Sequence, residues 1–170
     1  MMMKRTDGFT LIEVLVAVVV VSLGMLGIAG TLLTATRSST SNYLKQQTVQ
    51  YAYDIVDRMR ANDALATQTA AGANPYVVAL VLPAAVGPTP NCEAAICSAT
   101  QMGAFDVWEW QTLLRKNLPS GMGKVAVAAG TGGLATTIVT VTVQWSDQPA
   151  QSTFTPATVS PVQYTVVTAL

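Results

Sequence analysis

From Val14 to Thr36 the chain runs for 23 residues without a charge, mostly Val, Leu, Ile, Ala and Gly. About 20 consecutive apolar residues cross a bilayer as a helix, so this run fits one crossing. Beyond it the pattern changes. Leu44, Tyr51, Ala52, Ile55, Val56 and Met59 recur at spacings of three, four and seven, which is one face of an amphipathic helix. The opposite face carries Lys45, Asp54, Asp57, Arg58 and Arg60, with Asp54 and Arg58 at i,i+4 and Asp57 and Arg60 at i,i+3, where each pair can form a salt bridge. No proline interrupts Phe9 to Asn62. One helix of about 80 Å is therefore expected, with a stop at Asn62-Asp63.

The remainder reads as loops, one short helix and strands. Residues 64–100 are rich in Ala, Thr, Gly, Asn and Pro, broken by the apolar run Tyr76 to Leu82, which allows a short strand before a loop from Pro83 to Cys97. Phe105 to Leu118 predicts a helix ended by Pro119-Ser120-Gly121. Val139, Val141, Val143 and Trp145 alternate with Thr140, Thr142 and Gln144, a half-buried strand that pairs with Lys124–Ala129 as a hairpin through Gly130 to Gly133. After a Pro- and Thr-rich loop from Ser146 to Pro161, Val162, Tyr164 and Val166 alternate again. Three strands with one polar face need cover on the other, and the amphipathic helix half supplies it. The expected class is α+β, one long N-terminal helix packed on a small antiparallel sheet.

One acid stands at the head of the apolar run. A charged side chain at the centre of a membrane helix costs about 2.5–3.5 kcal/mol and less toward the interface, where Glu13 lies, so such a group is normally functional. Lys4 and Arg5 precede the run, which favours residues 1–8 on the cytoplasmic side and the bulk of the chain outside. A secretory signal cut near Ala29 or Ala35 and a plain anchor are the rival readings. The apolar run exceeds the 7–15 residues of a signal h-region, and a plain anchor leaves Glu13 unexplained. Within the run Gly24, Gly27 and Gly30 recur every third residue. They read either as tolerated membrane glycines or as a site of close helix packing or local unwinding.

Charge and cysteines narrow the function. Charged residues make up 11% of the chain and the net charge is zero. In residues 63–170 Arg115, Lys116 and Lys124 stand against Asp63, Glu93, Asp106, Glu109 and Asp147, so a phosphate-binding surface and a nucleic-acid partner are not expected. Phe105, Trp108 and Trp110 accordingly read as core anchors rather than a stacking platform. Cys92 and Cys97, with no histidine in the chain, read as a small-loop disulfide in an oxidising compartment, with free thiols or part of a metal site as alternatives. No catalytic constellation is present. Gly130 to Gly133 lacks the Gly-Lys-Ser/Thr of a phosphate cradle, and Ser120 has neither a histidine nor a nucleophile elbow. Asp106 and Glu109, at i,i+3, are expected at a helix start, favouring its dipole. No enzyme activity, cofactor, metal or small-molecule ligand is expected.

Gly8-Phe9-Thr10-Leu11-Ile12-Glu13, behind a short basic leader and ahead of a long apolar helix, resembles the signal of type IV pilins and of type II secretion pseudopilins. Residues 52–62, the stretch from Trp110 to Gly121, and Val141 to Trp145 are similar to minor pilins of the pilus-modification (PilV) type. The resemblance implies a leader of residues 1–8 cut by prepilin peptidase between Gly8 and Phe9, and N-methylation of Phe9. It implies a membrane half at 9–36, an amphipathic half at 37–62 and an extracytoplasmic head at 63–170. Loss of Lys4, Arg5 and Asp7 takes the net charge to −1. Glu13 would then draw the amino group of a neighbouring subunit and set subunit register. The implied role is a minor pilin held in the inner membrane with its head in the periplasm, then incorporated into a surface pilus with other minor pilins and the major pilin to prime its assembly. A type II secretion minor pseudopilin, or a tip pilin with an adhesin or DNA-uptake role, are the alternatives. The chain departs from many pilins in having glycines where they place a proline in the membrane helix, and a mid-chain rather than C-terminal cysteine pair.

Overall fold

In a computed structural model the described residues are 8–70, 72–130, 136–147 and 161–170. The leader residues Lys4, Arg5 and Asp7, most of the Gly130 to Gly133 connection and most of the Ser146 to Pro161 loop lie outside them. Helix α1 spans Leu11–Ala61 without a break, and a short α2, Asp63–Ala66, follows the stop at Asn62. Strand β1 is Val78–Val81, α3 is Ala99–Asn117, β2 is Met122–Ala129, β3 is Thr137–Trp145 and β4 is Val162–Ala169. The chain divides into two compact units, one ending at Thr40 and the other running from Ser41 to Leu170. The amphipathic half of α1 from Ser41 onward therefore belongs to the second unit, the head unit.

The sheet has four strands in the order β1-β2-β3-β4, all antiparallel. Three strands plus a short apolar run were expected; that run pairs as an edge strand, with Val78 opposite Val125. Register carries a valine row across the inner face, Val125 opposite Val141 and Val141 opposite Val166. Period-two alternation buries Val139, Val141, Val143 and Trp145 and leaves Thr140, Thr142 and Gln144 on the other face. There the cross-strand pairs are polar: Gln163 donates to Gln144 at 2.7 Å, and the hydroxyls of Thr142 and Thr165 lie 3.3 Å apart. Leu44, Ala52, Ile55, Val56 and Met59 of α1 join the sheet valines, Trp110, Leu114 and Trp145 in one core.

Helix α3 begins six residues before the expected Phe105. Ser98 caps it by accepting from Gln101 N while the Gln101 side chain accepts from Ser98 N, a reciprocal capping box. The composition of residues 99–104 reads as loop, but the cap and the tertiary packing decide. Gly103 meets Pro75, where an added Cβ would lie 2.6 Å from Pro75 Cγ. Gly123 lets α3 approach β2, because a Cβ there would lie 2.2 Å from the Trp110 ring.

Candidate assembly site

The residues singled out in the N-terminal segment are all exposed. Gly8 and Phe9 precede α1, Glu13 lies in its first turn, and Phe9 is 84% exposed. Every residue from Leu11 to Thr36 is exposed. Among the described residues Glu13 forms no ion pair. The helix is long and apolar enough to cross a membrane. In such surroundings backbone and hydroxyl groups must be satisfied within the helix itself. Ser22 donates to Val18 O at 2.7 Å, Thr31 to Ile28 O at 2.8 Å, Thr34 to Gly30 O at 3.1 Å and Thr36 to Leu32 O at 2.9 Å. The hydroxyls of Ser22, Thr31, Thr34 and Thr36 are thus paired within the helix.

Gly24, Gly27 and Gly30 have nothing within 4 Å of where a Cβ would stand. The fold of the single chain does not require glycine there, and the helix passes through all three without interruption.

In the head, a second group of residues locks α1 to α3. Arg58 donates to Asp54 at 3.2 Å, to Asp106 at 3.3 Å and to Glu109. Tyr76 donates its hydroxyl to the other oxygen of Asp106 at 2.8 Å and accepts from Asn62 at 3.3 Å. Burial works against the Arg58 charge, but hydrogen bonds and attraction to Glu109 and Asp54 outweigh it and raise its pKa. Burial also pushes the Tyr76 phenol up, opposed by Asn62 and reinforced by Asp106. Asp106 and Glu109 therefore sit in mid-helix as partners of Arg58, not at a helix start. The i,i+3 spacing signals one shared face; Arg58, 48 and 51 residues away, was not predictable from it.

Of the aromatic trio, Trp110 is fully buried and donates to Tyr51 O at 2.8 Å, and Phe105 is 6% exposed. Half-buried Trp108 instead holds the loop before the disulfide, donating to Ala84 O at 3.0 Å with its ring against Gly87. Cys92 and Cys97 are bonded, directly before the Ser98 cap of α3. Sequence reasoning missed the buried hydrogen bond from Ser41 to Asp147, at 2.6 Å.

The prokaryotic N-terminal methylation motif matches residues 3–29, which contain Gly8, Phe9, Glu13, Gly24 and Gly27. The family described as type IV pilin Tt1218 matches residues 32–108, from within α1 into α3. Among curated proteins and among solved structures, none matches the chain. With the methylation motif and the pilin match nearly abutting on one continuous helix, the two matches support a type IV pilin.

Proposed function

We propose that this pilin is a minor subunit of a type IV pilus, made as an inner-membrane precursor with its head in the periplasm and incorporated with other minor pilins and the major pilin to prime assembly. Prepilin peptidase cuts between Gly8 and Phe9, and Phe9 is then N-methylated. The family is structural, and the chain's contribution is assembly rather than a reaction. One observation carries the reading: Glu13 stands without an ion-pair partner among the described residues on an otherwise uncovered apolar helix, inside the matched methylation motif.

An acid in hydrocarbon needs a cation, and removing the leader exposes an α-amine on each neighbouring helix. Pairing that amine with Glu13 fixes the axial register between subunits. The uncovered faces bearing Gly24, Gly27 and Gly30 supply close helix packing once subunits meet. The mid-chain disulfide and the PilV-like stretches support the minor rather than the major role. Mass spectrometry of the N-terminal peptide from membranes tests the processing, with N-methylated Phe9 as the expected terminus. An intact leader, or a cut near residue 30, overturns it. Deletion separates the role from that of a type II pseudopilin: loss of fibres or twitching is expected, and a secretion defect with normal fibres refutes the pilus assignment.

A further inference from the structure

Among the described residues, Trp145 Nε1 and Asp147 Oδ1 are buried side-chain atoms with no hydrogen-bonding partner. Trp145 closes β3 and Asp147 follows two residues later. Burial alternates through Trp145, Ser146 and Asp147, so both side chains continue the inner face of the strand. They are 2% and 4% exposed. The other carboxylate oxygen, Asp147 Oδ2, accepts from Ser41 Oγ at 2.6 Å, which ties the end of the sheet to the first residue of the head unit. The other two indoles find backbone acceptors, Trp108 in Ala84 and Trp110 in Tyr51. Trp145 is the exception, and buried polar groups are seldom left unpaired.

The chemistry of the pair selects what completes it. Trp145 offers only a donor, and the free oxygen of the Asp147 carboxylate offers an acceptor. An ammonium or guanidinium could donate to Asp147 but could not accept from the indole; a phosphate or carboxylate could accept but not donate. Only a group that does both serves each side. At 2% and 4% exposure, a side chain from another subunit has no approach without opening the head. We propose that one internal water molecule sits here, accepting from Trp145 Nε1–H and donating to Asp147 Oδ1. It completes a polar chain from Trp145 through Asp147 to Ser41 and fastens the end of β3 to α1 where the head begins. Buried waters recur at sites with two to four polar partners.

The test uses the full chain in detergent micelles with indole-¹⁵N tryptophan, the Trp145 signal being assigned by its loss in Trp145→Phe. The Trp145 indole proton should show a direct Overhauser effect to water with the sign of a long-lived bound molecule, while Trp108 and Trp110 show none. Asp147→Asn, which keeps an acceptor oxygen, should retain the effect, and Asp147→Leu should reduce it at least several-fold. An indole signal protected from exchange but without the water effect overturns the proposal. So does an effect that appears only as protein concentration is raised, because that assigns the place to a side chain of another copy.

Discussion

The two parts of α1 solve opposite problems with the same backbone. From Leu11 to Thr36 every side chain is exposed and apolar residues dominate, so this stretch is stable only where lipid or other helices surround it. From Ser41 onward the helix buries Leu44, Ala52, Ile55, Val56 and Met59 against a sheet of its own chain. The contrast separates what one subunit settles alone from what requires a second. A change in the first region should alter assembly and leave head stability untouched; a change in the second should do the reverse at the outset.

The sharpest break in that comparison is Glu13→Ala. Incorporation into fibres, measured by immunoblot of sheared pili against membranes, should fall at least tenfold, because a helix that cannot recruit the amine loses about 1.4 kcal/mol or more of register-fixing interaction. Urea unfolding of the head should be unchanged. Undiminished incorporation would refute the pairing.

Trp110→Ala should act on the head alone. It empties a fully buried indole site against Gly123 and removes the hydrogen bond to Tyr51 O. Truncating a buried tryptophan costs about 3–5 kcal/mol, read as a lower urea midpoint by far-ultraviolet circular dichroism in detergent.

Arg58→Met should come next. It strips the cation from Asp106, whose side chain is only 12% exposed, and from Glu109. Removing one member of a buried pair costs 3–5 kcal/mol; the partial exposure of Arg58 and Glu109 lowers the expectation to about 2–3 kcal/mol. Adding Asp106→Asn to that variant should recover part of the loss. Strictly additive effects would show that Arg58 acts through packing rather than charge.

How far the sequence spoke follows the same division. Both halves of α1 were legible because an uncharged run and a 3.6 period are local signals, as was the period-two burial of Val139 to Trp145. The start of α3 was not read, although Ser98 and Gln101 form a capping-box spacing, because Ala99 to Ala104 lack apolar periodicity. The Arg58–Asp54 pair was read from its i,i+4 spacing, but the bonds from Arg58 to α3 and the roles of Asp147 and Gly123 were invisible for a different reason. Each depends on a residue brought near by the fold: Asp106 and Glu109 to Arg58, Ser41 to Asp147, and Trp110 to Gly123. At the N-terminus the motif residues are local, but the partner proposed for Glu13 is on another molecule.

The smallest expected effect concerns alkaline pH and Tyr76. Burial holds its phenol above the ordinary value of 10.0, so below pH 10 both folded and unfolded chains keep the proton and the contribution is constant. Above pH 10 the unfolded chain releases it while the folded head retains it. Tyr76 therefore adds a loss of about 1.4 kcal/mol per pH unit to the head's stability as pH rises. Tyr76→Phe should cost about 1 kcal/mol at pH 7, through the lost hydrogen bond to Asp106, and should flatten the decline between pH 10 and 11 by that slope. Urea titrations at pH 7, 10 and 11 for both proteins measure the difference. Parallel declines would show that the phenol ionises in the folded head as readily as in the unfolded chain, and that the Tyr76 to Asp106 contact opens on its own.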